Sequence, residues 1–171
     1  MASMDNSRNH HDSSQNQAHS EAILMNMIEN VTKTNLLHKA LKPMGNLIFV
    51  FGSNEAGIHG AGAARVAKEQ WGARQGRGVG LIGNSFAIPT KDKQIQTLPL
   101  ASVEKYVKHF LTFAMLRSEL HFQVTQIGCG LAGFKKHEIA PMFKDPPRNC
   151  SFDTAWHPFL GDDVMYWGTY P

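Results

Sequence analysis

No Val, Leu, Ile, Phe, Tyr or Trp stands before Ile23 in this chain of 171 residues, where Asn, Ser, Gln and His crowd the segment instead. So polar a stretch buries too little surface to offset its ordering entropy, which predicts a disordered tail over residues 1–20. Its first residues have neither the positive cluster nor the apolar centre of a signal peptide. No run anywhere is apolar enough to span a bilayer. A cytoplasmic protein with no membrane partner is expected. Cys129 and Cys150 are too few for a disulfide framework, and both are expected as free thiols.

Charge is sparse too, at 18% of residues, and the net +3 is scattered along the chain. A nucleic-acid surface usually carries a dense basic stripe interleaved with aromatics, so nucleic acid is not expected as a partner, whereas a small anion suits this balance. Neither glycine cluster is followed by Gly-Lys-Ser or Gly-Lys-Thr, which removes the phosphate lysine and the magnesium hydroxyl of a P-loop and with them a kinase or ATPase. His10 and His11 have no Cys or carboxylate at ligand spacing, so no metal is expected, and nothing implies a cofactor.

What is present is the composition of one globular domain, 42% hydrophobic. From Ile23, the residues Leu24, Met27, Ile28, Val31, Leu37 and Leu41 recur at helical spacing until Pro43 and Gly45, giving an amphipathic helical extension over 21–44. The domain proper occupies 45–171. Leu47-Ile48-Phe49-Val50-Phe51 is an unbroken apolar run, expected as a strand buried on both faces. It stops at Gly52-Ser53-Asn54 and passes through a glycine-rich loop into an alanine-rich helix. Ten of the 15 glycines lie between Gly45 and Gly83, where they allow close approach to backbone.

Gly78-Val-Gly80-Leu-Ile-Gly83 matches the dinucleotide fingerprint by letter. Its context is wrong, because Ser85-Phe-Ala-Ile-Pro89 after it reads as a strand and not as a helix. A short segment at Ile95–Leu98 precedes a helix from Ser102 to Arg117 with Val103, Tyr106, Val107, Phe110 and Ala114 on one face. Phe122–Ile127 reads as another strand, followed by the loop Gly128-Cys-Gly130-Leu-Ala-Gly133-Phe134 and a helix from Lys136 to Phe143. Beyond Pro146-Pro147, residues Trp156, Phe159, Tyr166 and Trp167 show no period and predict an irregular aromatic tail.

Strand, glycine loop and helix thus occur twice. A helix N-terminus offers unpaired N–H groups and a partial positive charge, and glycines let a phosphate reach them, so the two units together make a diphosphate clamp at neighbouring strand ends.

In their order, Phe51-Gly-Ser-Asn54, the loop His59-Gly-Ala-Gly-Ala-Ala64, the central strand Phe86-Ala-Ile-Pro89 and Gln126-Ile-Gly-Cys-Gly-Leu-Ala-Gly-Phe134 resemble the macrodomain superfamily. Within it the wording is most similar to small phage and prophage macrodomain-like proteins. The resemblance covers about Leu47 to Phe143. It implies a three-layer α/β/α fold with a mixed central sheet that binds a small-molecule nucleotide of the ADP-ribose class, in a phage setting where binding would sequester a signal.

By position it implies that Asn54 lies near the distal ribose, with Gly52 and Ser53 beside it among the ligand-binding residues and Gly57, His59, Gly60, Ala61 and Gly62 forming the first diphosphate loop. Gly128, Cys129, Gly130, Leu131, Ala132 and Gly133 would form the second, with Phe134 against the distal ribose. Two departures stand out. Pro43-Met-Gly-Asn46 has no acid for an adenine amine. Lys91 resembles the lysine nucleophile of one deribosylating subgroup, yet Ala132 stands where that subgroup has its aspartate.

A lysine attacking an anomeric carbon needs its proton managed by a base, for which Asp92, Glu55 and Glu138 are the available carboxylates. Lys91 and His59 are the candidate catalytic residues. A nucleotide binder is therefore the first expectation. An ADP-ribosyl glycohydrolase or cyclic-nucleotide hydrolase is the second, and a protein-interaction module with a vestigial site the third. The sequence does not determine the oligomeric state.

Overall fold

The structure, a computed structural model, describes residues 8–169, with side chains from Ser14 onward. A six-stranded mixed sheet in the order β2-β3-β1-β4-β5-β6 forms the middle layer. Its strands are β1 (Leu47–Asn54), β2 (Gly80–Ile82), β3 (Ser85–Lys91), β4 (His121–Val124), β5 (Cys150–Asp153) and β6 (Met165–Gly168). β3, β1, β4, β5 and β6 pair in parallel, and β2 closes one edge antiparallel to β3.

The apolar run of β1 is buried on both faces by alternation. Leu47, Phe49 and Phe51 pack on one side with Ala64 and Ala67 of α2 (Gly62–Gln70) and with Trp71. Ile48 and Val50 pack on the other with Val103, Val107, Phe110 and Ala114 of α3 (Leu100–Leu116), which recur at the helical spacing read from the sequence. On that side, Phe110 meets Phe86 and Phe122 edge-on at 5.1 and 5.4 Å. Such aromatic pairs add about 0.5–1.5 kcal/mol each beyond their burial. The fold is thus the expected three layers, with the middle pair of strands β1 and β4, while Phe86–Pro89 of β3 lies one place nearer the edge than the resemblance implied.

The N-terminal helix α1 runs continuously from Arg8 to Leu41 and is followed by a 3-10 turn, Lys42–Met44, ended by Gly45 at φ 74°. The tail expected over residues 1–20 is therefore helical from Arg8 onward, while residues 1–7, and the side chains of His10 and His11, lie outside the described part. Its docking also differs from the apolar pattern. Thr34 and His38 are buried and Met27 and Val31 pack on the core, but Leu24, Ile28 and Leu37 stay exposed. Polar contacts explain this: Asn30 is bonded to the β6 backbone, and His38 Nε2 lies 2.9 Å from Ser151 Oγ of β5.

The largest correction concerns the C-terminal stretch. In place of an irregular tail, Cys150–Asp153 and Met165–Gly168 continue the parallel sheet, with α5 (His157–Leu160) between them. Phe152, Trp156 and Tyr166 are fully buried. Each of these strands has four residues, too few to show a period, and their burial comes from neighbouring strands. Two smaller corrections accompany it. β4 ends at Val124, so Thr125–Ile127 already belong to the loop, and the expected helix from Lys136 is a single turn, α4 (Lys136–Ile139), that becomes a 3-10 turn at Ala140–Phe143 with Pro141 inside it. Among the described residues no helix is long and apolar enough to cross a membrane.

Candidate functional site

A cleft of about 460 Å³ opens at the carboxyl ends of β1, β3 and β4, and both glycine loops line it. Its floor is the place where the loops touch: a Cβ on Gly52 would lie 3.2 Å from the Gly128 amide nitrogen. Thr90 Oγ1 donates to the Ser53 carbonyl and Thr125 Oγ1 to the Val50 carbonyl, holding the strand ends in place.

The first loop is built by Asn54. Its Nδ2 donates to the Ile58 carbonyl at 2.8 Å and its Oδ1 accepts the Ile58 N–H at 2.9 Å. One N–H and one lone pair of the amide remain for a ligand. Beyond the loop, Gly60, Ala61 and Gly62 are exposed, and the N-terminus of α2 has no side-chain cap, leaving its first N–H groups open to the cleft. The second loop bonds to itself through Cys129 N–H to the Gln126 carbonyl, Gly133 N–H to Gly130 and Phe134 N–H to Gly128. The amides of Gly130, Leu131 and Ala132 take no part in these turns. Because α4 is a single turn, this half of the clamp acts through loop amides and not through a helix dipole.

Of the residues expected at the site, Gly52, Ser53, Asn54, Gly60, Ala61, Gly62, Gly128, Cys129, Gly130, Leu131, Ala132 and Lys91 do line one cleft. Gly57, His59, Gly133 and Phe134 do not. A Cβ on Gly57 would lie 2.3 Å from the Arg77 nitrogen, so this glycine serves chain packing. The His59 ring is 1% exposed, turned edge-on to Phe51, with Nε2 3.0 Å from the Arg77 carbonyl oxygen. Phe134 folds back over Gly128 and packs against the core.

Lys91 sits at the irregular end of β3, opposite Asn54. Among the described residues, it is the one cation lining the cleft, and no carboxylate lines it. The three acids available to manage a lysine proton all have other partners. Glu55 accepts the Tyr106 hydroxyl at 2.7 Å, which holds that phenol up at about 12. Asp92 accepts the N–H groups of Gln94 and Gln96, and Glu138 accepts that of Lys135. Burial raises the Cys129 thiol above its ordinary value, so it stays protonated near neutral pH.

Sequence reasoning missed Ile58, Ala63, Ala64, Thr90, Ile95, Thr125 and Gln126 in the lining. Position at a strand's carboxyl end signals Thr90, Thr125 and Gln126. Nothing local signals Ile95, a β-branched residue at φ 65° held there by the Asp92 turn. Such a conformation costs about 1–3 kcal/mol. It brings an apolar side chain, 38% exposed, to the lining of the cleft, and Thr97 Oγ1 ties the same segment to the Ala132 carbonyl.

Among the described residues no group of three or more His, Cys, Asp or Glu comes together to hold a metal. No protein-family model, curated protein or solved structure matches this chain at a significant level.

Proposed function

We propose that the chain binds a phosphate-bearing nucleotide of the ADP-ribose type, or a group carrying one, in this cleft. One observation carries the reading: an uncapped helix N-terminus, unbonded glycine-loop amides and one lysine converge on a cleft free of carboxylates. Such a surface attracts an anion and offers backbone donors to its oxygens. That no acid stands at Pro43–Asn46 or lines the cleft supports recognition through the phosphates and ribose more than through an adenine amine. Binding is favoured over hydrolysis because Glu55, Asp92 and Glu138 are engaged elsewhere and His59 is turned away from the cleft. Sequestration of a nucleotide signal follows from the family resemblance.

The test is calorimetric titration with ADP-ribose, NAD, AMP and cyclic ADP-ribose isomers, beside Gly130→Glu. Saturable binding lost in the variant supports the reading, and no binding of any of them overturns it. Release of free ADP-ribose from a modified substrate, lost in Lys91→Ala, would replace the binder by a hydrolase.

A further inference from the structure

Residues 14–26 of α1 are exposed without exception, so this part of the 34-residue helix lies at the surface. Isolated helices of such length are marginal in water, and an amphipathic helix is normally held by what its apolar face buries. Four of the six exposed large apolar side chains of α1 are gathered together. At ~100° per residue, Leu24, Met25, Ile28 and Leu36 fall on one stripe about 120° wide that begins beside Val31 of the docked face, while Ile23 and Leu37 lie outside it. The four are 59%, 64%, 50% and 65% exposed.

Most of the stripe is symmetric about residue 30, although Met25 is matched by the polar Asn35. Leu24 and Leu36 are equally far from residue 30, as are Ile28 and Thr32, and the charges that close the two ends, Glu21 and Lys39, are as well. Thr32 suits an apolar seam because its hydroxyl already donates to the Ile28 carbonyl at 2.8 Å. The other charged pair of this region, Glu29 and Lys33, is bonded within the helix at 2.6 Å on a different flank.

We propose that α1 pairs antiparallel with α1 of a second copy of this chain, around a two-fold axis near Asn30. That register sets Leu24 against the partner's Leu36, and Glu21 against the partner's Lys39 at both ends of an isologous contact. A parallel register would set Glu21 against Glu21 and Lys39 against Lys39. The antiparallel arrangement also lays the exposed stretch of each helix along the domain-bearing stretch of the other, covering what is exposed in the single chain.

Sedimentation velocity of the full chain tests this. The expected result is a concentration-dependent dimer that Glu21→Lys or Lys39→Glu each weakens about tenfold and that the double exchange restores. Ile28→Asp should give a monomer of unchanged circular dichroism. A monomer at every concentration, or a dimer indifferent to the charge exchanges, overturns the proposal. Because no residue of the stripe lines the cleft, nucleotide binding in the monomeric variant is expected to persist whether or not the dimer forms.

Discussion

The side chain of Asn54 and the backbone of Ile58 close a ring of two hydrogen bonds, 2.8 and 2.9 Å long, at the mouth of the first glycine loop. Asn54→Ala removes both bonds to Ile58 in a part-buried site, at about 0.5–1.5 kcal/mol for each bond lost. Denaturant unfolding is expected to show that loss, and titration to show weaker nucleotide binding, with Asn54→Asp intermediate because it keeps the acceptor alone. Unchanged binding in Asn54→Ala would mean that loop geometry does not set affinity.

Two glycines should separate fold from site. A Cβ on Gly130 meets nothing within 4 Å, whereas one on Gly78 would lie 1.9 Å from the Asn54 carbonyl oxygen. Gly130→Glu is therefore expected to keep its melting temperature and lose ligand, because it sends a like charge into the anion cleft. Gly78→Ala is expected to lose stability and ligand together, since backbone must move. A Gly130→Glu protein that still binds would place the ligand outside the cleft.

Stability should fall as the solution is made acidic. His38 of α1 and His121 of β4 are buried 5.1 Å apart, ring to ring, and both approach Ser151 Oγ. Burial, together with the neighbouring His121 in the case of His38, lowers each from 6.5 to about 4. Between those values the unfolded chain binds more protons than the folded one, so stability rises with pH across the window and is lost as pH falls through it. The slope is at most about 1.4 kcal/mol per pH unit for each histidine. Urea unfolding between pH 4 and 7 checks this; His38→Gln should flatten the profile, and a flat profile in the parent would contradict the burial of the pair.

The edge of the sheet depends on one side chain. Asn30 Nδ2 donates to the Val164 carbonyl and its Oδ1 accepts the Tyr166 N–H at 2.8 Å, supplying β6 with the pair of bonds that a further strand would give. Exposed edges invite pairing with other chains. Asn30→Ala is expected to cost about 1–3 kcal/mol and to raise aggregation measured by light scattering on heating. Asn30→Asp retains the bond from Tyr166 and should lie between.

Periodic elements were legible in the sequence. The apolar run of β1, the helical spacing of α3 and the glycine punctuation before α2 each report a local preference, and each element is present, although β1 runs on through Gly52-Ser53-Asn54, where the sequence reads as leaving the strand. The lining of the cleft was legible where glycine marks a close approach, as at Gly52 and Gly128. It failed at His59 and Phe134, because the direction of a loop side chain is set by what packs beneath it: Phe51 and the Arg77 carbonyl for one, Gly128 for the other.

The amino-acid sequence by itself determined an α/β chain with two glycine loops, each following a buried strand, since strand burial and loop freedom are properties of neighbouring residues. Tertiary structure alone decided that Cys150–Asp153 and Met165–Gly168 are strands, that the carboxylates of Glu55, Asp92 and Glu138 have partners other than Lys91, and that the polar residues Asn30, Thr34 and His38 dock α1. In each case the partner lies far along the chain or the signal spans fewer residues than one period, so no local pattern records it.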